Sequence, residues 1–185
     1  MNEKQAIQQL KNGDIRGLEF LVLHYQVKAV RTAYLITRDI GLAEDVMQDS
    51  FIQAYRSIDG FDSSLSFEPW FLRSVINASV KIMQKSARQA EMGDEDEAEK
   101  LFAELTQNIG SVEDQVEEIE IQNQVWDAMQ KLSPRQRAVI VERYFLEMSE
   151  KDMAERANVS VGTVKWMLNA ARRRLYGLLK GVKNE

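Results

Sequence analysis

SPRQRAVIVERYFLEMSEKDMAERANVSVGTVKWMLNAARRRL, residues 133–175, is the stretch whose reading decides the fold. Ser133-Pro134-Arg135-Gln136 has the form of a helix start: a capping serine, proline at the first helical position, and glutamine three residues on to complete the box. Ser149-Glu150-Lys151-Asp152 repeats the device more weakly. Asn158-Val159-Ser160 then reads as a turn, because Asn tolerates the left-handed conformation and Ser160 can cap the next helix. The spacing predicts a helix over about 149–157, a three-residue turn and a longer helix over about 161–180. That is a helix-turn-helix. On the last helix Val164, Leu168, Ala171, Leu175 and Leu179 share one stripe, which must be buried. The opposite face carries Gly162, Trp166, Asn169 and Arg173, flanked by Thr163, Lys165 and Arg172. Short polar side chains near the start of such a helix can reach base edges, and arginines further along can hold phosphates. Duplex DNA is the expected ligand.

Charge supports this once it is resolved along the chain. The total of −5 over 185 residues argues against nucleic acid, but it is an average of unlike segments. Residues 1–86 hold 10 basic and 10 acidic side chains, residues 87–122 hold 2 and 12, and residues 123–185 hold 12 and 7. The basic surface is therefore C-terminal. The acidic stretch, with EMGDEDEAEK at 91–100, has no apolar periodicity and separates two units. Two prolines and few alternating runs predict an all-α protein of two small helical domains joined by an acidic linker. The boundaries are 1–88, 89–114 and 115–185. With no cysteine and one histidine, neither a thiolate nor a multi-histidine metal site can form, and no cofactor is expected. His24 is expected at a helix surface in a structural role. No signal peptide or membrane-length apolar run is visible, so a cytoplasmic protein is expected. No acid-base pair or glycine-rich phosphate loop points to an enzyme.

The N-terminal unit reads as a bundle. A short helix over about 3–11 precedes one on which Leu18, Leu21, Val22, Tyr25, Ala29 and Ala33 recur at helical spacing. A further helix over about Leu42 to Ser57 turns Val46, Phe51 and either Ala54 or Tyr55 inward. After the loop GFDSSLS (60–66), a long helix starts near Phe67, capped by Ser66 with Pro69 in its first turn. Trp70 and Phe71 are assigned to the core, and Phe67 is left open.

Residues 133–175 resemble region 4 of the sigma-70 family, which reads the −35 promoter element. AEDVMQDSFIQAYRSIDGFDSSLSFEPWFLRSVIN (43–77) resembles region 2, which binds core RNA polymerase and the −10 element. Both in this order, in fewer than 200 residues, resemble the extracytoplasmic-function (ECF) group of alternative sigma factors. The resemblance implies promoter-specific initiation without catalysis. Ser160, Gly162, Thr163, Lys165, Trp166, Asn169, Arg172 and Arg173 would meet the −35 duplex. Phe61, Asp62, Ser63, Ser64, Phe67, Arg73, Asn77 and Lys81 would meet the −10 strand. Glu44, Asp45, Gln48 and Asp49 would meet the clamp helices of the largest polymerase subunit, and the flap of the second-largest subunit is implied as a further contact. An anti-sigma factor, often membrane-bound in this group, is implied as a further partner.

Two departures stand out. KIMQKSAR (81–88) is sparsely basic where the family is densely so, with Lys81 at a usually acidic position, which implies weaker or differently specified −10 binding. Trp166-Met167 replaces a common serine and arginine. Trp166 could press on a thymine methyl, on the sugar backbone or on a regulatory partner, and the sequence does not choose. A decoy that sequesters an anti-sigma factor is the alternative reading, although Lys165, Arg172 and Arg173 favour DNA. A repressor with an unrelated sensor domain would have no reason to carry the AEDVMQDSF helix.

Overall fold

The computed structural model describes residues 1–86 and 124–182. They form helices joined by turns, with no strand among them, in two compact units, Met1–Ala90 and Glu91–Glu185. The linker expected at 89–114 lies outside the described residues.

The first unit contains α1 (Glu3–Lys11), α2 (Arg16–Thr37), α3 (Ile40–Ser57) and α4 (Phe67–Ser86). Asn2 and Gln5 form a reciprocal capping box at the start of α1. Arg38 ends α2 in the left-handed conformation, and the Asp39 side chain caps α3 by accepting from the Leu42 N–H at 2.8 Å. The helix therefore begins two residues before the Leu42 expected from pattern alone. Leu21, Tyr25, Ala29 and Ala33 are buried as the periodicity required, with Leu18 and Val22 half-buried beside them. On α3, Val46, Phe51 and Ala54 turn inward, while Tyr55 is exposed. Phe71, Val75 and Ile76 of α4 close the core, and Trp70 is half-buried rather than central. His24 is exposed on α2, stacked on Phe20. Gly17 carries a constraint the pattern does not reveal. A Cβ there would lie 2.2 Å from the Ala6 carbonyl oxygen and 2.9 Å from the Leu10 nitrogen, so α1 and α2 meet backbone to backbone.

The second unit contains a helix over 124–130 (α5), α6 (Pro134–Ile140), α7 (Glu150–Ala157) and α8 (Val161–Val182). The Ser133–Gln136 and Ser149–Asp152 boxes are both formed. Between them α6 runs into a π turn, Val141–Phe145, and Glu147 reverses the chain at φ 53°. Asn158 adopts φ 53°, ψ 48°, the left-handed stop expected of it. Val164, Leu168 and Ala171 are buried, in a helix that packs on α6 and α7. Leu175 and Leu179 are half-buried. No helix among the described residues is long and apolar enough to cross a membrane.

Candidate nucleic-acid interface

The turn into α8 is held by Ser160. Its hydroxyl accepts from the Thr163 N–H at 3.0 Å and lies 2.9 Å from the Thr163 hydroxyl, so two short polar groups gather at the helix start. Gly162, Thr163, Lys165, Trp166, Asn169, Arg172 and Arg173 are all exposed, on the face opposite the buried stripe. Trp166 is 67% exposed, unusual for an indole. Lys165 lies 3.9 Å from Glu150 of α7, which steadies it loosely across the turn. Arg172 is held more firmly. Its Nε donates to the Tyr144 hydroxyl at 2.7 Å, and its guanidinium lies 5.6 Å from the centre of that ring. Tyr144, from the π turn, was not among the residues expected from sequence; 28 positions separate it from Arg172.

Beneath this surface Glu142 and Arg156 form an ion pair with both side chains nearly buried. Burial pushes the Glu142 carboxyl above its ordinary value, and the Arg156 charge and hydrogen bond pull it back. The pair joins the π turn to α7, the helix that precedes the turn into α8.

On the first unit Glu44, Asp45, Gln48 and Asp49 line one exposed face of α3. Among the described residues, no ion pair engages the three carboxylates. Ile52 and Tyr55 extend the exposed face by two turns. The loop after α3 is braced from α1 at both ends. Lys11 Nζ donates to the Phe61 carbonyl at 2.6 Å, and the Phe67 N–H donates to the Glu3 carboxylate at 3.4 Å. The same carboxylate accepts from the Tyr25 hydroxyl. Inside the loop the Asp62 carboxylate accepts from the Ser64 N–H at 2.9 Å, which lowers its pKa.

Two expected contacts are corrected here. Phe61 and Phe67 are buried, at 3% and 0% exposure, and their rings meet edge-on at 5.9 Å. Phe67 also packs against Tyr25 and Phe71. Neither offers a free face on which a base could stack. They are the loop's anchors. The exposed part is Asp62, Ser63, Ser64 and Leu65, with Arg73, Asn77 and Lys81 along α4.

Residues 21–89 match the sequence profile of Sigma-70 region 2, and residues 122–175 match that of Sigma-70, region 4. The ECF RNA polymerase sigma factor SigW of Bacillus subtilis is 30% identical over 175 residues, spanning 93% of this chain and 94% of its own. The chain belongs to the sigma-70 family. Among its relatives, the RNA polymerase sigma-H factor of Pseudomonas aeruginosa is 29% identical over 92% of this chain and 90% of its own. The sigma factor RpoE from Bartonella quintana, solved in a co-crystal with the anti-sigma factor NepR, superposes with a TM-score of 0.62 at 21% identity. That match covers 88% of this chain and 96% of the other, and it supports the fold. The chain is an alternative sigma factor of the ECF type.

The Tyr144 contact can be tested for an effect on promoter binding. Tyr144→Phe removes the acceptor that orients Arg172 and leaves the ring. Promoter-duplex affinity is expected to fall about two- to fivefold, alike across sequences, with the melting temperature moving by no more than about 2 °C. Titration of wild-type and variant holoenzyme on two unrelated promoters checks it. Loss on one promoter alone would show that Arg172 reads a base.

Proposed function

We propose that the chain docks on core polymerase through α3 and reads a bipartite promoter with its two units. Residues 1–88 serve as region 2, 89–114 as an acidic linker and 115–185 as region 4. The observation that carries this reading is the presence on one chain of two unlike exposed surfaces: the acidic face of α3, engaged by no ion pair among the described residues, and the capped helix-turn-helix with its basic stripe. Glu44, Asp45, Gln48 and Asp49 meet the basic clamp helices, where opposite charge gives steering and register. Ser160, Gly162, Thr163, Lys165, Trp166, Asn169, Arg172 and Arg173 meet the −35 duplex. Asp62, Ser63 and Ser64 contact the separated −10 strand, and Arg73, Asn77 and Lys81 track its backbone. Opening the duplex costs about 1.4 kcal/mol per step, which contacts to the single strand offset.

The factor itself performs no covalent chemistry; nucleotidyl transfer belongs to the polymerase. It acts in the cytoplasm, and its exposed polymerase-binding surfaces fit regulation by an anti-sigma factor that covers them, in some states at the inner face of the membrane. The test is transcription in vitro from a pool of genomic promoters with purified chain and core polymerase. Promoter-specific transcripts are expected. Binding to an anti-sigma factor with no transcript from any template would overturn the reading and leave a decoy.

A further inference from the structure

We infer that Trp166 reads thymine in the −35 duplex through the C5 methyl group, across space that Gly162 leaves open. This rests on the −35 role of α8 proposed above and assigns that role a base and a residue. Trp166 lies one turn past Gly162 on the exposed stripe that continues through Asn169 and Arg173. Side chains on a helix lean toward its N-terminus, so the indole at 166 covers the turn that holds Gly162 and Thr163. That is the end of the helix that approaches the base edges.

Among the described residues, nothing asks for glycine at 162. It lies within α8, its backbone is not in the left-handed region, and a Cβ there would meet only Ser160 Oγ, at an ordinary 3.6 Å. Gly162 is the second residue of α8, so the missing side chain leaves the start of the helix open to a ligand. With no side chain at 162, the indole and the helix backbone can both come close to the groove floor.

The side chain sets the chemistry of its partner. Indole has one N–H donor, no acceptor and a large apolar face. The major groove presents donors and acceptors at every base pair, and its only apolar group is the thymine methyl. Lys165, Arg172 and Arg173 already supply cations on either side of the stripe, so phosphate binding does not need position 166. Of the four bases, thymine alone offers the exposed indole face an apolar group.

The experiment replaces thymine by deoxyuridine, which deletes the methyl and keeps every hydrogen-bonding group. A −35 sequence is first selected with wild-type holoenzyme, and each thymine in it is then exchanged singly. Wild type is expected to lose about fourfold in affinity at one or two positions, the factor for burying one methyl-sized group. In Trp166→Ala the same exchanges should change affinity by less than about 1.5-fold. Gly162→Ala, which the fold accepts, should blunt the same sensitivity while raising helix stability slightly. If Trp166→Ala keeps the full deoxyuridine penalty at every position, the inference is overturned and the sigma reading stands. If wild-type holoenzyme selects no −35 sequence at all, the reading beneath it has failed, and the inference fails with it.

Discussion

Asp45→Arg should leave the first unit folded and lower affinity for core polymerase by at least about a hundredfold. Asp45 is exposed on α3, and among the described residues no ion pair engages it. Surface substitutions of this kind usually change stability by no more than about 0.5 kcal/mol. The effect on binding is of another order. Glu44, Asp45, Gln48 and Asp49 lie within two turns on one face, so a reversed charge in their midst opposes a basic partner while weakening its neighbours. Like charges forced together at an interface cost several kcal/mol, and about 2.7 kcal/mol is already a hundredfold. Titration of labelled chain with core polymerase gives the affinity, and a thermal melt confirms the fold. The salt dependence should flatten as well, because steering is lost. An unchanged affinity would remove α3 from the docking surface.

The second large effect is on stability. Arg156→Ala leaves the Glu142 carboxylate nearly buried without its partner, an arrangement that costs about 3–5 kcal/mol. The helix-turn-helix would lose the tie between its π turn and α7, and DNA binding would fall with the folded fraction. The pH dependence distinguishes this cause from lost packing. In the wild type the Glu142 pKa is already raised by burial, and removing Arg156 takes away the influence that lowers it. A group whose folded pKa lies above its unfolded value favours folding below the unfolded pKa, and that contribution is lost as pH rises through the folded value. The gap between wild type and Arg156→Ala should therefore be wide at pH 8 and narrow toward pH 5. Adding Glu142→Gln to the variant should recover much of the loss at pH 8. An equal gap at both pH values would assign the defect to packing.

What could be read from the sequence was what lies close together along it. Ser133 with Gln136, Ser149 with Asp152, and the Asn158–Ser160 turn are contacts within three residues, fixed by backbone geometry that each residue type advertises. The buried stripe of α8 and the acidic face of α3 come from helical period alone. The failures share the opposite property. Phe61 and Phe67 flank a polar loop, and only their packing, Phe67 on Tyr25 and Phe71 and Phe61 on Phe67 and Trp70, shows that they point inward. Glu142 and Arg156 are 14 residues apart and Tyr144 and Arg172 are 28 apart, at spacings that no local rule connects. Gly17 has no local signature either, because its constraint comes from Ala6 and Leu10 of another helix.

The brace from α1 to the 61–67 loop bears on how the chain would behave in genetics. Lys11 and Glu3 fasten the two ends of that loop from 50 and 64 positions away. A screen for alleles defective in promoter melting should therefore return lesions at these two residues beside lesions in the loop, although neither belongs to the proposed DNA contacts. Second-site suppressors of loop mutations should likewise map to the first helix, so the inheritance of melting defects would track the brace and not the contact surface.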